Sequence, residues 1–361
     1  MNAIRAVSLQ PDELFSSWLA RFALTRGCDP LSLTGSLWRS RRTWTRDPDR
    51  GLPDPVLDEL CGRTGVSASA LNRSFLPARA PLAQVDTRHP VWPWILPVGT
   101  RNRLRHGGLQ FCPQCLGVDR APYFRVHWRL AWHTCCAHHG TRLLDRCLNC
   151  SAPVEPHRLT AADETLAICA TCRISLAACA SDMAPSGAFD FQYQAQEAEG
   201  EGHGDFGALR LTRVDWFGLA RYLTVLLRRA SAGKPQWSIN RMLACLDLLD
   251  TRGYRSSTGL PLELLTTRDR AALLSGVAHL MFAGVDRFVE AARTAGATRR
   301  TLGMVGSGLP AQVEARIDRA VGGALRKRKP ARPKLPEIPK SPASVAQSWA
   351  RLHRRIAAEL R

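Results

Sequence analysis

Three features of the sequence predict a mainly α protein with small β zinc-ribbon modules. Apolar residues recur at helical spacing towards both ends of the chain, Cys-x2-Cys and Cys-x2-His pairs crowd its middle, and arginine is in large excess. The expected order is an N-terminal helical domain with a helix–turn–helix (1–107), tandem zinc-binding ribbons (108–178) and an acidic linker (179–209). A C-terminal helical domain with a candidate second helix–turn–helix (210–325) follows, then a basic linker and terminal helix (326–361). A chain of 361 residues, 45% of them apolar, suffices for two or three domains with real cores.

In the N-terminal segment, Pro11, Asp12 and Glu13 precede Leu14, Phe15, Trp18, Leu19, Phe22 and Ala23, whose spacing fits one buried helix face. A basic, aromatic stretch from Leu37 to Arg46 comes next. In it Arg41, Arg42 and Arg46, with Arg39, are candidates for phosphate contact, and Trp38 and Trp44 either anchor the segment, stack on bases or are ordinary core. Asp54-Pro55 suits an N-cap and N1 pair. Residues 57–71 then place Cys61, Gly65 and Leu71 at the small, turn and apolar positions of a helix–turn–helix, with Ser67 as N-cap of its second helix. Ser69, Asn72 and Arg73 are the candidate DNA contacts there; a helical hairpin packed on protein is the plainer alternative. Residues 88–107, with three prolines and two tryptophans, read as an extended connector.

Nine of the twelve cysteines fall between Cys112 and Cys179. Each Cys-x2-Cys or Cys-x2-His pair forms a knuckle aiming two ligands at one ion, and two knuckles complete the tetrahedron that structural zinc prefers. Cys112, Cys115, Cys136 and His139 make one such set, and Cys147, Cys150, Cys169 and Cys172 a second, so two structural Zn2+ ions are expected. Cys135 and His138 offer an adjacent register for the first set; Gly140 favours the later one, because it supplies the turn out of the knuckle. Cys28, Cys61, Cys179 and Cys245 lack partners at ligand spacing and read as small core residues. Both sets are filled by protein ligands and no Glu adjoins a ligand as in His-Glu-x-x-His, so the expected role is structural.

Between Ile174 and Leu209 there is no Lys or Arg, while Asp182, Asp190, Glu197, Glu199, Glu201 and Asp205 fall inside, hence the acidic linker. Helical patterning resumes at Trp216–Leu223 and Arg270–Phe282. Ala292, Gly296 and Leu302 repeat the helix–turn–helix spacing, putting Arg299 and Arg300 where a recognition helix would meet DNA. A hairpin facing protein is again the alternative. Arg326 to Lys334 holds six basic residues in nine, including Arg326, Lys327, Arg328 and Lys329, which suit non-specific phosphate contact or a solvated linker. A helix near 344–360 would close the chain.

The formal charge of +19 points to a polyanion partner, nucleic acid first. Only five of the 50 basic residues are lysine, so part of the arginine excess is compositional. No run reaches the ~18–20 uninterrupted apolar residues of a membrane span. The first twenty residues lack a signal-peptide core, so a cytoplasmic, nucleoid-associated protein without membrane contact is expected. No Gly-x4-Gly-Lys-Ser/Thr loop and no recognisable nuclease triad occur, and no enzymatic activity is expected.

Phe111-Cys112-Pro113-Gln114-Cys115-Leu116, Asp119, Pro122–Arg125, Trp128-Arg129-Leu130-Ala131-Trp132, Cys136–Gly140, Leu143 and Asp145-Arg146-Cys147 together resemble the core of the TniQ/TnsD family, whose members select targets for transposons. Glu13–Arg21 and Trp44–Asp47 followed by Asp49-Arg50 are similar to that family's opening segment. The resemblance covers roughly residues 10–175 and implies zinc at both cysteine sets, an N-terminal helix–turn–helix, association with DNA, and contact with an AAA+ ATPase that recruits the transposase. One departure is Leu148, where Pro often follows the first Cys. Some members pair with a CRISPR effector complex and others read a DNA site directly; both stay open, as does a homodimer. The function expected is a non-enzymatic adaptor for transposition target selection. The alternative is a zinc-ribbon, helix–turn–helix transcription regulator, which shares every physical feature except the resemblance.

Overall fold

The computed structural model describes residues 6–79, 91–98, 108–232, 238–248, 260–303, 305 and 308–321, and a few positions between 341 and 350. Met1–Val321 is one compact unit, with Gly322–Arg361 a second. The described residues are mainly helical, with one small antiparallel sheet and two cysteine clusters.

The N-terminal core is built by α1 (Phe15–Thr25), α2 (Pro30–Leu37), α3 (Asp54–Thr64) and α4 (Ala68–Arg73). The predicted stripe of α1 is buried: Phe15, Trp18, Leu19 and Phe22 pack with Leu33 and Leu37 of α2, Leu57 and Leu60 of α3, and Leu71 of α4. Fully burying each large apolar side chain contributes ~1.5–3 kcal/mol, which is what holds these short helices together. Helix α3 starts at Asp54 itself, with Pro53 as the flanking residue, one position earlier than the Asp-Pro reading. Gly65 is left-handed (φ +70°) and the Ser67 hydroxyl accepts a hydrogen bond from the Ala70 N–H, opening α4 as expected of an N-cap.

The described part of the expected extended connector, residues 91–98, is largely built into the core. Trp92, Trp94, Ile95 and Leu96 are buried, and Ile95 forms a β-bridge with Leu130. Its tryptophans are the reason: Trp94 lies 5.5 Å from Phe217 and stacks with Phe191, in an aromatic cluster that also takes in Trp132 and Trp216. Residues 88–90 and 99–107 lie outside the described residues.

The central module contains α5 (Pro113–Val118), short 3-10 turns at Val126–Arg129, Pro156–Arg158 and Leu176–Ala178, and β-bridges that pair Phe111 with Leu144, Cys135 with Arg142, Arg146 with Pro153, and Ile168 with Ser175. The acidic segment expected as a linker is instead folded. Ser186–Glu201 is a sixteen-residue helix, α6, and β1 (His203–Phe206) pairs antiparallel with β2 (Leu209–Thr212). Acidic and glycine content masked the helix because its buried stripe is small and partly polar: Ala188, Phe191, Gln192, Ala195 and Ala198. The Gln192 side-chain oxygen accepts from the backbone N–H groups of Thr134 and Cys135, both at 3.1 Å, so even its polar member is built into the core.

The chain continues through α7 (Arg213–Ala232), α8 (Ser238–Ala244), α9 (Thr267–Thr294), α10 (Arg299–Gly303) and α11 (Ala311–Val321). Helix α9 has the length and composition of a membrane span, yet it packs against α6, α7 and α11 and buries Arg270 in its first turn. It kinks at Gly284 (φ +73°), where the backbone of Gly207 in the β-hairpin turn comes close. The buried Glu263 carboxylate accepts from the Trp94 backbone N–H at 2.7 Å and from Arg221 at 2.5 Å, tying α7 to the 91–98 segment.

Candidate metal centres and nucleic-acid interface

Cys112 precedes α5 and Cys115 lies in its first turn, while Cys136 and His139 come from the next knuckle. His139 Nδ1 is 3.4 Å from the sulfurs of Cys112, Cys115 and Cys136, and the Cys115 and Cys136 sulfurs are 3.5 Å apart. In the second set, Cys147 and Cys172 are 3.6 Å apart and so are Cys150 and Cys169. A disulfide would require ~2.05 Å, whereas ligands ~2.3 Å from one tetrahedral ion stand ~3.8 Å apart. Both clusters can therefore hold a metal ion, and sulfur-rich sets with one imidazole are consistent with zinc.

Three knuckles share one backbone device. In each, the residue after the second ligand is left-handed and donates its N–H to the carbonyl of the first: Gly140 to Cys136, Ser151 to Cys147 and Arg173 to Cys169, all at 2.9 Å. Only the first uses glycine, so the sequence signal for this turn was visible once in three. The adjacent register is not used. Cys135 is buried beside the Thr134 hydroxyl, and burial pushes its thiol up to about 11, where it stays protonated. In the second set, the Ile174 backbone N–H and the Asn149 side chain hold the Cys172 thiol down to about 6, favouring the thiolate a metal needs. Nothing in the sequence marked Asn149 for that part. Of the four cysteines that lack partners at ligand spacing, Cys28, Cys61 and Cys179 are half-buried against the cores, but Cys245 is exposed in the turn that ends α8.

The candidate nucleic-acid residues lie in separate places. Ser69, Asn72 and Arg73 are exposed on one face of α4, where Arg73 donates to the Ser69 hydroxyl at 2.9 Å. Arg63 of α3 donates to the Leu37 carbonyl at 3.0 Å, fixing this pair of helices to α2. Arg42 and Arg46 are exposed and Arg41 is half-buried; the tryptophans between them are anchors, since Trp38 is buried and Trp44 donates to the Thr34 hydroxyl and stacks on His157. At the second hairpin, Ala292 and Leu302 are buried and Gly296 is left-handed. Helix α10 is only five residues long there, with Arg300 exposed. Arg326, Lys327, Arg328 and Lys329, and the terminal helix near 344–360, lie outside the described residues, apart from isolated helical positions.

The fold and these clusters define a mainly helical protein with two cysteine-rich clusters that could each hold a metal ion. Residues 4–143 match the TniQ family model, and this similarity supports a transposition-associated function. A comparison with curated proteins finds no match. The family match takes in all four residues of the first metal set and stops short of the second.

Proposed function

We propose that this protein is an adaptor for transposition target selection. It binds DNA, or a DNA-bound targeting complex, and recruits an AAA+ ATPase and through it the transposase, while doing no bond chemistry itself. The observation that carries this reading is the TniQ match over residues 4–143 on a chain of charge +19. Zinc ions at the two sulfur-rich sets hold the central module in shape. All four positions of each set are protein ligands, an arrangement suited to structure rather than to activating water. The two hairpins, α3–α4 and the end of α9 with α10, serve as helix–turn–helix elements, with Ser69, Asn72, Arg73, Arg299 and Arg300 towards the bases and Arg41, Arg42, Arg46 and the 326–329 run towards phosphate.

Base-reading and phosphate-contacting arginines respond differently to removal. Loss of an arginine bidentate to a guanine edge costs ~1–3 kcal/mol on the preferred site only, whereas loss of a phosphate contact weakens all sequences alike. Binding to the preferred site and to random duplex, measured across a salt series, should show Arg299→Ala/Arg300→Ala narrowing the gap between the two. Neutralising 326–329 should lower both affinities and flatten the salt dependence. If neither change touches DNA binding but association with the ATPase or an RNA-guided complex is lost, these elements face protein and direct DNA reading is wrong.

A further inference from the structure

The segment that leaves α2, from Trp38 to Thr43 with Thr45 and Arg46, lines a cleft of about 750 Å³ together with Val56 and Glu59 of α3. Arg39, Arg41, Arg42 and Arg46 lie along it, and none of these guanidinium groups has an ion-pair or hydrogen-bond partner among the described residues. The bordering carboxylates are engaged elsewhere: Asp47 with the buried Arg129, and Glu59 with Arg63. Partial burial first, and the charge of Arg46 second, pull the Arg41 pKa below its ordinary value. Two cations held together without a counter-charge form an arrangement that an anion relieves.

A second observation points the same way. Thr43 lines the cleft, is only 5% exposed, and its hydroxyl has no hydrogen-bond partner. A buried hydroxyl left unpaired is costly, and such groups mark places where a partner is missing. Arg46 also walls a neighbouring cavity of about 240 Å³, whose lining includes Trp44, His157, the ion-paired Arg158 and Glu155, and Asp49. An anion held by Arg46 therefore has open space on both sides, with the unpaired arginines all on the side of the larger cleft, which suits one unit of a polyanionic chain better than an isolated ion.

We propose that this cleft seats a backbone phosphate of bound DNA, clamped between Arg41 and Arg46, with the Thr43 hydroxyl donating from the floor once the arginines turn towards the anion. This deepens the DNA-binding reading given above and rests on it. The site carries affinity without sequence preference, leaving discrimination to the helical hairpins.

The test uses the full, metal-loaded chain, a labelled random-sequence duplex and inorganic phosphate as probes. Arg41→Gln/Arg46→Gln should lower the slope of log affinity against log salt by about one, the contribution of roughly one phosphate, and weaken binding at least ~tenfold near 0.1 M salt. Arg268→Gln, an exposed arginine elsewhere on α9, should leave that slope close to wild type. Thr43→Val should weaken duplex binding about three- to tenfold with the slope unchanged, because the lost group is neutral. It should also leave the melting temperature unchanged or raised, because it removes an unpaired buried hydroxyl. A wild-type slope in the double variant, or a Thr43→Val protein that melts lower yet binds DNA normally, overturns the proposal. Inorganic phosphate that binds only when Arg41 and Arg46 are present, with duplex binding unaffected by their loss, assigns the cleft to a small phosphorylated ligand and overturns the backbone assignment. A wild-type protein that binds no duplex at any salt overturns the DNA-binding reading as well, which separates the two failures.

Discussion

Arg129 donates from Nη1 to Asp49 Oδ2 at 2.6 Å, and both side chains are buried. The same guanidinium reaches Asp47 at 2.5 Å and the Leu96 carbonyl, while Asp49 also accepts from the backbone N–H and hydroxyl of Ser16. One arginine thus joins α1, the 47–49 turn, the 91–98 segment and the central module. Removing it strands two buried carboxylates, so Arg129→Met should cost ~3–5 kcal/mol in denaturant unfolding of the metal-loaded protein. A loss below ~1 kcal/mol would mean the clasp is dispensable.

The same site sets a pH dependence. Burial pushes the Asp49 carboxyl up to about 6, with Arg129 pulling it down and Asp47 adding to the rise. The unfolded chain holds this proton only below ~3.9. Between those values the native state binds more protons than the unfolded one, so stability from this group is complete at the acidic end and is lost as pH rises through 6. Asp49→Asn cannot titrate. The stability of wild type relative to this variant should therefore fall as pH is raised from about 5.5 to about 7.5. A rise over that range would reverse the assignment.

Elemental analysis should find two zinc ions per chain. Cys136→Ser and Cys147→Ser should each lose one, and Cys147→Ser should unfold the ribbon around it, because a structural zinc contributes up to ~10–16 kcal/mol at neutral pH. Cys135→Ser should retain both. Metal loss from Cys135→Ser, or a single ion in wild type, would refute the two donor sets.

Gly284→Ala should be among the most damaging single-methyl changes in the chain. A Cβ there would lie 2.9 Å from the Gly207 Cα, at a backbone φ of +73° that side chains rarely adopt. The obstructing atom is backbone and cannot turn aside. A melting temperature within a degree or two of wild type would show that α9 and the β-hairpin part easily.

Much of the first core and the metal sets was legible in the sequence, because α1 carries large apolar residues at helical spacing and cysteine ligands repeat at knuckle spacing. Helix α6 was not legible, since alanines and Gln192 make a weakly apolar stripe that becomes a buried face only against α9 and the central module. The residues that carried the family resemblance turn out to act largely on the fold. Glu13 is buried and pairs with Arg21, the Ser17 hydroxyl accepts from the Phe124 N–H, and Asp47, Asp49 and Arg129 form the clasp. Charge alone could not separate arginines of this kind from those in the cleft. Arg129 and Arg46 look alike in sequence, and only burial and partners tell them apart.

The most direct measurement mixes the purified protein with the AAA+ ATPase proposed as its partner and a duplex containing the proposed target site, and follows ATPase loading on DNA. The ATPase should load at the target only when this protein is present, and the protein alone should leave the duplex intact. Equal loading in its absence, or cleavage of DNA by the protein by itself, would contradict a target-selecting adaptor.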